Sequence, residues 1–86
     1  MYRIEFSNFV AKELEKIYRV EKKLYFRLIF AMETLKLNPY QGKRLRGKFA
    51  GDYSLRLGDY RIVYNVYKDR LLVSIIDLGH RREIYR

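Results

Sequence analysis

The chain has 86 residues, enough for one domain around one hydrophobic core and not for two. Its 19 Lys and Arg against 10 Asp and Glu give a formal charge of +9, which favours an acidic partner: nucleic acid, an anionic membrane surface or an acidic protein. Cysteine is absent and there is a single His, so disulfides and cysteine- or histidine-based metal centres are excluded, and neither metal nor cofactor is expected.

The charge is uneven. Residues 1–38 hold 8 basic and 5 acidic side chains, residues 39–86 hold 11 and 5, so the positive field is strongest on the second half. Met1 leads directly into an alternating run, and no stretch approaches the roughly 20 apolar residues of a membrane helix. A cytoplasmic protein with no membrane partner is therefore expected, formed as a single domain over residues 1–86.

In chain order, residues 2–6 alternate apolar and polar and predict a first strand. Ser7 or Asn8 can cap a helix running to about residue 19, on which Val10, Leu14, Ile17 and Tyr18 recur at helical spacing. A second helix is predicted over residues 21–37, with Leu24, Leu28, Ala31, Met32 and Leu35 as its main stripe. Tyr25, Phe26, Ile29, Phe30 and Leu37 widen that apolar surface beyond what one sheet face needs. Tyr25 and Ile29 suit the core, whereas Phe26 and Phe30 suit either the core or a partner surface. Asn38 and Pro39 stop the helix, because the residue before proline is pushed out of the α region.

Residues 43–47, KRLRG, predict a short basic strand. Lys43, Arg44, Arg46 and the following Lys48 form a run better suited to a nucleic-acid-facing rim than to an ordinary solvated loop. The run YSLRLGDYRIVY at residues 53–64 predicts a β-hairpin, since two alternating segments flank a two-residue Gly-Asp loop, with glycine first as a type II′ turn prefers. That loop length sets Leu57 opposite Tyr60, Arg56 opposite Arg61, Leu55 opposite Ile62 and Ser54 opposite Val63. Two arginines facing each other repel unless an anion lies over them, and the planar guanidinium matches phosphate oxygens in bidentate fashion. Lys68, Asp69 and Arg70 form a turn into a last strand over residues 71–78, apolar on both sides and suited to the interior of the sheet. A three-residue loop there would put Asp77 beside Arg61. Gly79 is expected to let the chain leave the sheet, with His80, Arg81, Arg82 and Tyr85 delivered near the hairpin.

On RNA these residues have a chemical use. Attack of a 2′-hydroxyl on the adjacent phosphate needs proton transfer and stabilisation of extra charge on the phosphorane. Arg56 and Arg61 can supply the charge, and His80 or Tyr85 can handle protons.

The order of one strand, two helices and a run of antiparallel strands, together with LRG at 45–47, YRIVY at 60–64 and GHRREIY at 79–85, resembles the RelE/ParE toxin superfamily, and its RelE branch most. The resemblance implies an α+β fold, an antiparallel sheet with the two N-terminal helices packed on one face. It also implies a ribosome-dependent, metal-independent endoribonuclease that cleaves mRNA in the ribosomal A site and is held inactive by a RelB-like antitoxin. Operator DNA would be bound only as part of the antitoxin complex. By motif, Arg61 matches the strand arginine of the family's active site, Arg81 the arginine after the last strand, Tyr85 the tail tyrosine that stacks on an mRNA base, and Arg56 a basic residue before the turn. Members of the branch carry a second lysine, thought to be the general base, where this chain has Ser54, which makes His80 a candidate proton acceptor.

Each residue also has a plainer role open to it. Tyr85 can pack on a sheet edge, His80 can be an incidental turn residue, and Arg82 can belong to an ordinary basic terminus. A ParE-like gyrase inhibitor without nuclease activity is the alternative from another class. A decayed toxin that keeps only antitoxin and operator binding is the third. The charge and the second helix together predict an acidic antitoxin segment that folds on the toxin, with anchors on Phe26 or Phe30.

Overall fold

A computed structural model of the protein describes residues 1–47 and 51–80. Strand β1 (Arg3–Phe6) is followed by helices α1 (Asn8–Val20) and α2 (Lys22–Thr34). Strands β2 (Lys43–Arg44), β3 (Tyr53–Leu57), β4 (Tyr60–Tyr67) and β5 (Leu72–His80) follow, with a 3-10 turn at Lys68–Arg70 between the last two. The five strands form one sheet in the order β1-β5-β4-β3-β2. Neighbours β2 to β5 are antiparallel, and β1 joins β5 in parallel, so the sheet is mixed at one edge.

Ser7 caps α1: its side chain accepts a hydrogen bond from the Val10 amide at 3.1 Å, while its hydroxyl donates to the Ile76 carbonyl at 3.3 Å. The helix start is thereby tied to β5. Val10 and Leu14 of α1, Leu28 and Met32 of α2, and Leu35 just beyond it are buried against Ile62, Tyr64, Val73, Ile75 and Leu78 of the sheet. Full burial of such side chains stabilises the fold by roughly 1.5–3 kcal/mol each. Tyr25 and Ile29 pack partly buried against this core, while Phe26 and Phe30 point outward, 60% and 73% exposed. Among the described residues no helix is long and apolar enough to cross a membrane.

The β3–β4 hairpin has the expected register, Arg56 opposite Arg61. Gly58 takes φ +59°, and Asp59 keeps a negative φ, as type II′ requires and type I′ does not. The β4–β5 connection differs from expectation. Tyr67 pairs with Leu72, leaving four residues in the loop, and a bulge between Val63 and Tyr64 inserts Ile76 into β5. Asp77 therefore lies opposite Val63, not beside Arg61, and its carboxylate accepts from the Leu78 amide at 2.8 Å. Gly79 likewise does not end the strand. It stays in β5 directly opposite Arg61.

Candidate functional site

Alternation along β4 sends Ile62 and Tyr64 into the core and Arg61, Val63 and Asn65 to the face away from the helices. On that face the cross-strand rows can be read from the register. One row holds Arg56 on β3, Arg61 on β4 and Gly79 on β5. The next holds Lys43 on β2, Ser54, Val63 and Asp77. The Asn65 amide donates to the Asp52 carboxylate in the row beyond.

The two arginines are set differently. Arg61 is half-buried and its Nη1 donates to the Ser54 hydroxyl at 3.2 Å. Arg56 is exposed, and its Nε donates to the Gly58 carbonyl at 3.3 Å, drawing the side chain towards the hairpin loop. Solvent around Arg56 weakens the repulsion between the two charges, and Ser54 fixes the direction of the inner one. Ser54 and Val63 are themselves buried on this face. The site thus has a buried floor with the Arg61 guanidinium held over it, and an anion gains more from a positive charge there than in open solvent.

One close backbone contact fixes the chain just before β2. Gly42 donates its amide to the Tyr64 hydroxyl at 3.0 Å, and a Cβ there would stand 2.5 Å from that oxygen and 2.8 Å from the Ser54 carbonyl, so only glycine fits. Burial pushes the Tyr64 phenol above its usual pKa, and the hydrogen bond from Gly42 opposes the shift. Burial also raises the Asp52 carboxyl, against the lowering effect of the Asn65 hydrogen bond.

The sheet separates several residues that sequence grouped together. Lys43 faces the site side, but Arg44 pairs with Tyr53 on the helix side, its guanidinium carbon 5.9 Å from that ring. Arg46 is exposed beyond the short strand. His80 lies opposite Tyr60, with ring centroids 5.9 Å apart, on the face opposite Arg61. His80 and Arg61 thus stand on opposite faces at this end of the sheet. Lys48, Arg81, Arg82 and Tyr85 lie outside the described residues. Among the described residues no three His, Cys, Asp or Glu side chains gather as a metal ion would need. Sequence reasoning missed the grip of Ser54 on Arg61. Its signal was the Ser54–Val63 pairing, which puts residues 54 and 61 on diagonal positions of one face.

Comparison with known proteins identifies the family and the fold. Residues 4–85 match the family model described as the ParE toxin of a type II toxin–antitoxin system. The chain is 33% identical over 86 residues to Toxin RelG of Mycobacterium tuberculosis, an alignment that covers 99% of this chain and 97% of that one. The fold matches a chain of the RelBE2 toxin–antitoxin complex from Mycobacterium tuberculosis with a TM-score of 0.80 at 29% identity, covering 93% of this chain and 98% of that one. A chain of the intact RelBE complex of E. coli matches with a TM-score of 0.78 at 25% identity, covering 93% and 96%. The family model and these relatives define a toxin of the type II toxin–antitoxin class. The chain belongs to the RelE/ParE toxin superfamily.

Proposed function

We propose that this toxin is a ribosome-dependent endoribonuclease that cleaves mRNA in the A site without a metal ion and so arrests translation. The observation that carries the reading is the Arg56–Arg61 pair, two facing cations of which the inner one is held by a buried serine. In the reaction the 2′-oxygen attacks the adjacent phosphorus as its proton is removed, and the bond to the 5′-oxygen breaks as that oxygen is protonated. The products are a 2′,3′-cyclic phosphate and a 5′-hydroxyl. The pentavalent intermediate carries more charge than the diester, and always-ionised guanidinium groups bind that extra charge. Arg81 joins this set and Tyr85 stacks on a base, while Arg46, Lys48 and Arg82 line the RNA path.

The partner is a RelB-like antitoxin whose acidic segment folds on the toxin. Its apolar anchors sit on the outward-facing Phe26 and Phe30, and operator DNA is bound by the complex alone. Naked RNA is a poor substrate, bound weakly and with steep salt dependence, because Lys and Arg contacts to phosphate release counterions.

The test is cleavage of message in programmed ribosomes. Arg61→Ala and Arg81→Ala each lower the rate about a hundredfold or more, as loss of one preorganised charge does, while antitoxin binding persists. Near wild-type cleavage by either variant, or efficient cleavage of purified RNA at physiological salt, contradicts the reading. A gyrase inhibitor has one observation in its favour, the ParE description of the matching family model. Inhibition of purified gyrase with no cleavage on ribosomes would select it.

A further inference from the structure

We propose that Lys43 is a third cation of the phosphate site, contacting the scissile phosphate itself rather than guiding RNA from the rim. The inference rests on the endoribonuclease reading and assigns a further residue to it.

The position of Lys43 is built into the fold. Strand β2 has only two residues, and its register sets Lys43 opposite Ser54 and Arg44 opposite Tyr53. Immediately before it, Gly42 is pinned by the hydrogen bond to Tyr64 and by the absence of room for a side chain. A chain anchored at residue 42 and paired at residue 43 has little freedom in where it sends the next Cβ. That Cβ stands over the same face as Ser54, whose hydroxyl holds the Arg61 guanidinium. Adjacent strands lie about 4.8 Å apart. A lysine stem spans a similar distance, so the ammonium reaches the space over Ser54 and Arg61.

Among the described residues no ion pair involves Lys43: those present join Lys16 to Glu13, Arg19 to Glu15 and Lys36 to Glu33, all in the helical half. Among the described strand and hairpin-flanking residues Asp52, Asp77 and Glu5 share its face, Glu5 on β1 at the far edge of the sheet. Asp52 accepts from the Asn65 amide, and Asp77, at the far end of the Lys43 row, accepts from the Leu78 amide. Lys43, Arg56 and Arg61 therefore stand on three successive strands of one face. A phosphate over Ser54 gains from each positive charge that this face brings to it.

The chemistry of the three differs. The two guanidinium groups present fixed planar forks, whereas an ammonium is a point charge with three rotatable donors on a flexible stem. Lys43 can follow the phosphate oxygens as the phosphorus goes from tetrahedral to pentavalent. It strengthens its contact in the transition state, so it acts on the rate of the chemical step more than on binding.

Single-turnover cleavage of message in programmed ribosomes, followed across toxin concentration, tests this. Lys43→Ala and Lys43→Met, the second of which keeps the apolar stem, lower the saturating rate about tenfold or more and change the half-saturating concentration less than about threefold. Lys43→Arg recovers most of the rate. Arg46→Ala, at the rim, acts in the opposite sense, mainly on half-saturation. Lys43 is exposed, so the variants keep the wild-type melting temperature. If wild type cleaves and the two uncharged variants cleave at the wild-type rate, or lose only affinity as Arg46→Ala does, the inference is overturned while the endoribonuclease reading stands. If wild type does not cleave at all, the reading itself fails and the inference with it.

Discussion

The two faces of one sheet are made from alternate residues of the same strands, yet they obey different rules. On the helix side, Ile62 and Tyr64 of β4 are fully buried among Val10, Leu14, Leu28 and Met32, and apolar area removed from water is what holds them. On the other side, Arg61 and Asn65 alternate with them and contribute charge and hydrogen bonds over a buried Ser54 and Val63. The contrast shows that the apolar core and the charged face of this sheet are separated by a period of two residues. A shift of one residue in register would exchange them.

The sharpest way to break that comparison is to change neighbours on β4. Arg61→Ala lowers cleavage on ribosomes about a hundredfold or more. It lowers the thermal midpoint less than loss of a core side chain does, the cost being the hydrogen bond that the buried Ser54 hydroxyl accepts from the guanidinium. Ile62→Ala does the reverse. Removing a fully buried isoleucine costs about 2–5 kcal/mol, and each kcal/mol lowers the midpoint by roughly 4–8 °C in a domain of this size. The Ile62→Ala protein that remains folded cleaves normally. Thermal unfolding by circular dichroism and single-turnover cleavage, measured on both variants, check the pair. A large stability loss in Arg61→Ala would mean that the faces are not separable.

Much of this separation is legible in the sequence. The Gly-Asp loop is short, so the hairpin register from residue 53 to residue 64 follows from turn geometry alone, and the facing arginines come with it. The helices are equally plain, because their apolar residues recur at a helical period over more than ten positions. Two features are not legible. A bulge adds a residue without any signature in composition, so the placement of Asp77 depends on Ile76 being inserted and cannot be counted from the loop. The pairing of β2 with β3 closes a longer segment, residues 45–52, whose length does not determine register, and the position of Lys43 over Ser54 follows from that pairing. The basic run at 43–46 therefore reads as one charged surface, although its first two members go to opposite faces.

Tyr64 is where the two faces meet, and it sharpens the comparison at smaller magnitude. Its ring is buried on the helix side, stacked on Tyr53 with centroids 5.5 Å apart, while its hydroxyl accepts from Gly42 next to the strand that carries Lys43. Tyr64→Phe keeps the ring and leaves the Gly42 amide without its acceptor, which costs about 1–3 kcal/mol. The expected loss of midpoint is correspondingly below that of Ile62→Ala. Hydrogen exchange at Gly42 and Lys43 accelerates relative to the β3–β4 hairpin. An unchanged exchange rate at those amides would show that the phenol does not anchor β2.

The smallest effect belongs to a position on neither face. Leu71, at the end of the 3-10 turn, is the one non-glycine residue with positive φ among the described residues, at φ 50° and ψ 50°, and its side chain is largely exposed. Its carbonyl accepts from the Arg3 amide at 2.8 Å, so the backbone there has a structural task, joining β1 to the start of β5. A branched-chain residue in the left-handed region costs roughly 1–2 kcal/mol, which glycine does not incur, although glycine loses more chain entropy on folding. Leu71→Gly and Leu71→Ala remove the same exposed side chain, so their difference isolates the backbone. The glycine variant is the more stable by about 1 kcal/mol, or roughly 4–8 °C in thermal midpoint, and both cleave at the wild-type rate. Equal midpoints would show that the turn carries no strain. A change in cleavage would show that the chemistry on the Arg61 face responds to stability elsewhere in the sheet.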